Sequence, residues 1–63
     1  MTQEERSQRS RAQILDAALA LFSHQGYRAT SMREIADRAG VSTGNVYHHF
    51  KDKQDFALQV IDA

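Results

Sequence analysis

Apolar side chains recur at helical spacing after Ser10, where the first hydrophobic pattern of the chain begins. The residues of this pattern are Ile14, Leu15, Ala18, Leu21 and Phe22. Residues three and four apart share one face of an α-helix, so the pattern predicts an amphipathic helix. Gly26 follows the last apolar position, and glycine is well suited to the left-handed cap that commonly ends a helix. The first helix is therefore predicted to end at this glycine.

The residues before this helix are polar and show no such pattern. Residues 1–9 are predicted to form a flexible N-terminal arm that carries Arg6 and Arg9. Residues 10–63 are predicted to form a single domain. A domain of this size buries only about 60% of the surface that its unfolded chain exposes, so its core is small.

A second helix is predicted within the segment TSMREIADRAG. Ser31 followed three residues later by Glu34 has the form of a capping box, with Thr30 as an alternative cap. The apolar stripe of this helix consists of Met32, Ile35, Ala36 and Ala39. Gly40 is predicted to end it.

A third, short helix is predicted to run to about His49. Val41 precedes it as a buried apolar residue, and either Ser42 or Thr43 can cap its N-terminus. Only Val46 and Phe50, four residues apart, can point into a core from this segment.

A fourth helix is predicted over residues 51–63, with Asp52 as its N-cap. Its inward side chains are predicted to be Phe56, Ala57, Val60 and Ile61. The chain contains no proline, which is compatible with closely connected helices.

Three small or apolar residues stand at the spacing of a helix-turn-helix. Ala36 lets two helix backbones approach, and Gly40 can take the positive φ of a tight turn without the roughly 1–2 kcal/mol cost of a Cβ. Val46 is the inward aliphatic residue of the second helix. The predicted fold is all-α: a small helical bundle with a three-helix, homeodomain-like core, a helix-turn-helix and the start of a fourth helix.

Charge is balanced over the whole chain but uneven along it. Eight basic and eight acidic side chains cancel. No acidic residue lies between Asp37 and Asp52, whereas Arg38 and Lys51 lie inside this gap and Lys53 just beyond it. A local basic patch of this kind is what binds a polyanion, although an ordinary solvated surface is the alternative.

Several chemistries are excluded or disfavoured by composition. There is no cysteine, so neither a disulfide nor a thiolate zinc site can form, which fits a reducing cytosol. No apolar run approaches the roughly 20 residues needed to span a bilayer, and no signal peptide is apparent. The sequence predicts no membrane association, no catalytic residue and no cofactor.

The start of the third helix is the candidate base-reading segment. A helix-turn-helix places the N-terminal part of its second helix against base edges in the major groove of DNA. Ser42, Thr43, Gly44 and Asn45 would lie there, where small residues permit close approach and Thr43 and Asn45 can contact bases. The alternatives are simple helix capping for Ser42 and Thr43 and mere tolerance of Gly44.

Tyr47, His48 and His49 are candidate donors to DNA phosphates, contacts that fix the register of a protein on DNA without reading sequence. The alternative is that Tyr47 packs as a lid over the core and that His49 is merely exposed. Adjacent helical side chains point about 100° apart, so the two histidines are poorly placed to share a metal ion. No metal site is predicted.

Three further cations complete the candidate set. Lys51 and Lys53 frame the start of the fourth helix, where a helix terminus and a lysine can together hold a phosphate. Arg33, in the first turn of the second helix, can reach a phosphate or a base, and an exposed solvated arginine is its alternative.

The string TSMREIADRAGVSTGNVYHHFKDKQDF, residues 30–56, closely resembles the N-terminal DNA-binding domain of the TetR (tetracycline-repressor) family. The resemblance extends over about residues 10–63. It implies a transcriptional repressor that binds a palindromic operator in double-stranded DNA as a homodimer. It implies base contacts at the positions Thr43, Gly44 and Asn45, and phosphate contacts at Tyr47, His48 or His49, and Lys53. It also places Thr30, Ser31 and Arg33 at the backbone or groove edge.

In the family this domain is followed by a larger C-terminal helical domain that dimerises and binds a small-molecule inducer, and the resemblance implies that this second domain is absent from the present chain. The resemblance implies a cytoplasmic, bacterial protein that is not an enzyme. A helical protein-interaction module without DNA binding is the alternative function. An enzyme fragment using the histidines is a third, without support from any nucleophile–base pairing.

Overall fold

The computed structural model describes the backbone of residues 3–61 and the side chains of residues 8–59. Over this range the chain forms four helices and no strand. They are α1 (Gln3–Gln25), α2 (Met32–Ala39), α3 (Thr43–His49) and α4 (Lys53–Ile61). The all-α prediction is confirmed. No helix within residues 3–61 is both long and apolar enough to cross a membrane.

The N-terminal boundary of the first helix was predicted wrongly. α1 begins at Gln3 instead of Ser10, so residues 3–9 are helical and are not an irregular arm. Residues 1–2 of the predicted arm lie outside the described part. This stretch is rich in Gln, Glu and Arg, which favour helix, and contains no glycine or proline. Extending a helix that already exists avoids the cost of nucleation, so a polar stretch can continue it without an apolar face.

The junction between α1 and α2 is closed by local hydrogen bonds. Gly26 has φ +95°, as predicted for a C-terminal cap, and its N–H donates to the carbonyl of Phe22 at 2.9 Å. The hydroxyl of Thr30 donates to the Gly26 carbonyl at 2.8 Å. The ring of Tyr27 packs against that of Phe22 with centroids 5.2 Å apart.

α2 begins and ends at the predicted residues. The hydroxyl of Ser31 accepts from the N–H of Glu34 at 3.1 Å, and the Glu34 carboxylate accepts from the N–H of Ser31 at 3.2 Å, which confirms the capping box. Gly40 has φ +74°. Its N–H donates to the carbonyl of Asp37, and the N–H of Val41 donates to that of Ala36. This is a Schellman motif, and it turns the chain sharply into α3.

The core is one cluster to which all four helices contribute. Its buried apolar residues are Ile14, Ala17, Ala18, Ile35, Ala36, Val46, Phe50 and Phe56. The rings of Phe50 and Phe56 stack with centroids 4.1 Å apart, which fixes α4 against the end of α3. Ala57 is half-buried, and the side chains of Val60 and Ile61, also predicted to point inward, lie outside the described part.

Acidification is expected to weaken the start of α2 through Glu34. Hydrogen bonds from the Gln25 side chain and the Ser31 N–H hold the pKa of Glu34 below its ordinary value of 4.5. A carboxyl group with a lowered folded-state pKa contributes stability that is present above its unfolded pKa and is lost as pH falls through the folded value.

Thermal unfolding between pH 7 and pH 3 measures this effect. The Glu34→Gln variant keeps an amide that can complete the capping box but cannot titrate, so its melting temperature should fall less on acidification than that of the unaltered chain. Equal losses in the two proteins would contradict the assignment.

Candidate nucleic-acid interface

α3 presents one face to the core and the opposite face to solvent. Val46 is fully buried, while Thr43, Gly44, Tyr47 and His48 are exposed. The cap of this helix is Ser42, whose hydroxyl accepts from the N–H of Asn45 at 3.1 Å. Of the two caps the sequence allowed, the structure therefore selects Ser42 and leaves the Thr43 side chain exposed. The helix emerges from the bend at Gly40 with its outer face uncovered by any described residue.

Asn45 is less available than the sequence suggested. Its side chain is half-buried, and its Nδ2 donates to the hydroxyl of Ser10 on α1 at 3.3 Å. The side chain of Asn45 has two groups that could bond a base edge, its amide nitrogen and its amide oxygen. The nitrogen is already used to link α3 to α1. Sequence patterns did not identify this contact, because its two partners are 35 residues apart.

Tyr47 is 53% exposed, so the alternative in which it forms a lid over the core is wrong. His48 is exposed and His49 is half-buried, with ring centroids 5.0 Å apart and the rings nearly perpendicular. Burial lowers the pKa of His49, and the neighbouring charges of His48 and Arg11 lower it further. Within the described residues, no three His, Asp or Glu side chains come together as a metal site.

Arg11 is a residue of this region whose role the sequence did not reveal. Its guanidinium carbon lies 5.2 Å from the centroid of the Phe50 ring, and its Nη2 donates to the side-chain oxygen of Gln59 at 2.6 Å. It thus joins α1 to the end of α3 and to α4. A guanidinium over an aromatic face makes a cation–π contact, and its partner lies on another element, so the position of Arg11 in the sequence does not reveal it.

The start of α4 is already occupied by carboxylates. Asp52 is the predicted cap, and its Oδ1 accepts from the N–H of Asp55 at 3.1 Å. The carboxylate of Asp55 in turn accepts from the N–H of Lys51 at 2.6 Å. These negative charges weaken the backbone part of the expected phosphate clamp. The exposed side chain of Lys51 remains as its cationic part.

Lys53 is engaged within the fold. Its Nζ donates to the carbonyl of Tyr27 at 3.0 Å and lies 4.7 Å from the centroid of the Tyr27 ring. The lysine therefore fastens the start of α4 to the α1–α2 junction. An ammonium group has three donors, so two remain for a ligand.

The residues before and at the start of α2 divide into buried and exposed. Thr30 is 1% exposed and its hydroxyl donates to the carbonyl of Gly26, so its side chain is not presented at the surface. A threonine in a polar segment cannot be recognised as buried from sequence alone. Ser31 and Arg33 are exposed, on the helix that precedes the bend.

Comparison with known proteins identifies the arrangement. The family model for bacterial regulatory proteins of the tetR family matches residues 14–60. The chain is 49% identical over 57 residues to the HTH-type transcriptional regulator AcrR of Shigella flexneri, a match covering 90% of this chain and 26% of AcrR.

Two further relatives are named for opposite effects on transcription. The chain is 43% identical over 51 residues to the HTH-type transcriptional repressor KstR2 of Rhodococcus jostii, covering 81% of this chain and 25% of that protein. It is 49% identical over 51 residues to the HTH-type transcriptional activator FasR of Mycolicibacterium smegmatis, covering 81% and 23% respectively. No solved structure matches.

The chain thus spans about a quarter of the length of the curated relatives it matches. The family model covers most of it, including the bend at Gly40 and all of α3. The resemblance drawn from the sequence is confirmed, and the chain belongs to the tetR family of bacterial regulatory proteins.

Proposed function

We propose that this chain is the sequence-specific DNA-binding domain of a transcriptional regulator, with α3 as the helix that enters the major groove. The observation that carries this proposal is the outer face of α3. Thr43, Gly44, Tyr47 and His48 are exposed there, directly after the left-handed turn at Gly40. A short helix held at a fixed angle, with its outer side chains uninvolved in the core, is what a helix-turn-helix offers to base edges.

The phosphate contacts in this proposal lie on both sides of α3. The Tyr47 hydroxyl and the Lys51 ammonium are on the exposed surface of α3 and of the α3–α4 turn. Ser31 and Arg33, at the start of α2, supply a second group of donors on the helix before the bend. Contacts to two backbone positions would fix the register of α3 in the groove.

We further propose that the regulator acts as a repressor and binds a palindromic operator as a homodimer. Relatives more than three times as long leave room for a part that dimerises and binds a small-molecule inducer. A cytoplasmic location follows from this function. The KstR2 proteins among the relatives are named repressors. FasR is named an activator, so the sense of regulation must be measured.

Salt dependence of DNA binding tests the central proposal. Each neutralised phosphate should contribute about 0.9 to the slope of the logarithm of the binding constant against the logarithm of salt concentration. Lys51→Gln should lower that slope by roughly this amount. Salt-independent association, or no association with any duplex, would favour a helical protein-interaction module instead.

Tyr47→Phe is expected to weaken binding to all DNA sequences about equally. The change removes one hydroxyl that donates to a phosphate, a loss of about 1–2 kcal/mol or 5- to 30-fold in affinity. Fluorescence anisotropy titrations with operator and with random duplexes measure the affinity for each kind of DNA. The other tyrosine provides the control, because Tyr27→Phe alters a hydroxyl at the α1–α2 junction and should leave affinity unchanged. A change of sequence preference without a general loss would refute the phosphate role.

A further inference from the structure

Gly44 has no explanation within the fold. Its φ is not positive, and a Cβ placed on it would meet only the Ser42 hydroxyl, at 4.0 Å. Glycine inside a helix costs roughly 0.5–1 kcal/mol relative to alanine, so neither packing nor backbone conformation favours it here. The fold itself thus gives no reason for a glycine here, and the position leaves open space on the outer face of α3.

His48 follows Gly44 by four residues and lies on the same face of α3. At 3.6 residues per turn, the two positions are about 40° apart around the helix and roughly opposite the buried Val46 and Phe50. The imidazole is exposed and stands beside a position that has no side chain. Among the residues of α3, it is the polar side chain closest to the centre of the outer face.

Two other polar candidates of α3, Asn45 and His49, are held elsewhere. Asn45 is half-buried and donates to Ser10 on α1. His49 is half-buried, with its ring against His48 at 5.0 Å and against Phe50 at 6.5 Å between centroids. Both side chains point toward α1 and the core boundary, away from the centre of the outer face.

Given the proposed function, on which this inference rests, we propose that His48 determines base specificity by donating a hydrogen bond to a purine in the major groove. An imidazole always offers at least one N–H donor. The purine N7 of either base and the O6 of guanine are acceptors on the major-groove edge, so a guanine is the favoured partner. Gly44 gives the duplex room to approach, and Asn45 positions α3 through its bond to α1.

Selection of binding sites from random duplexes, with the full-length protein and its His48→Ala variant, tests this role. The variant should lose the preference for a purine at one position in each half-site. Its affinity for the selected site should fall about 5- to 100-fold, as for loss of one specific base contact, with little change for random DNA and an unchanged salt slope. Because His48 is exposed, its melting temperature should not change.

Two histidine variants complete the test. His24→Ala, at an exposed position in the last turn of α1, should change neither affinity nor preference. His49→Gln should keep the purine preference. The inference would be wrong if His48→Ala weakened binding to all sequences equally. It would also be wrong if the purine preference were lost in His49→Gln and kept in His48→Ala. Either result would leave the proposal of DNA binding intact. Failure of the unaltered protein to bind any duplex would instead overturn the proposed function.

Discussion

Replacing Phe56 by alanine is expected to abolish most of the stability of the 63-residue domain. Phe56 is fully buried, stacks on Phe50 at 4.1 Å and meets the edge of Phe22 at 6.2 Å between centroids. Truncation of a buried phenylalanine costs about 3–5 kcal/mol, whereas a domain of this length has only about 3–9 kcal/mol in total. Urea denaturation followed by circular dichroism should show a transition shifted to low denaturant or no folded baseline.

Leu58→Ala is the matched control on the same helix. Its side chain is 52% exposed, so its truncation removes little buried area and should change stability by about 0.5 kcal/mol or less. A similar loss in both variants would mean that α4 does not pack through Phe56 as the structure has it.

Gly40→Val is expected to give the second largest loss and to act through the backbone alone. Apart from the two adjacent residues, no heavy atom lies within 4 Å of a Cβ built at this position, so the Cβ itself has room. The cost comes from φ +74°, a left-handed conformation that penalises a Cβ by about 1–2 kcal/mol and a β-branched residue by more. One kcal/mol corresponds to about 4–8 °C in a domain of this size, so the melting temperature should fall by roughly 4–16 °C or more.

Two other substitutions separate backbone strain from general damage. Gly40→Asn should lose less than Gly40→Val, because asparagine tolerates the left-handed region better. Gly44→Ala should leave stability unchanged or raise it by about 0.5–1 kcal/mol, since that glycine lies in a regular helix. If Gly40→Val and Gly40→Asn melted together at the unaltered temperature, the bend between α2 and α3 would not depend on this residue.

The features predicted correctly from sequence are those determined by neighbouring residues. The Ser31–Glu34 capping box and the turns at Gly26 and Gly40 depend on side chains and backbone conformations within about five positions of one another. Such local interactions can be predicted from the order of the residues in the chain. The buried face of α3 was readable as well, because Val46 and Phe50 are four residues apart on one helix.

The features that were missed or wrong depend on how the helices dock. The Asn45–Ser10 and Lys53–Tyr27 hydrogen bonds join residues 35 and 26 positions apart, and no pattern within one helix indicates them. The burial of Thr30 likewise follows from packing of the junction. The early start of α1 was missed for a different reason, because a stretch of polar residues has no apolar period to reveal a helix.

Only two side chains of α3, Val46 and Phe50 at its C-cap, belong to the core. Thr43, Gly44 and His48 therefore carry almost none of the free energy that holds the domain together. Such positions can be exchanged by mutation one at a time, and the altered protein still folds. A single scaffold of this kind can acquire a new target site through a few codon changes, which allows duplicated copies to diverge toward different operators while their architecture stays the same.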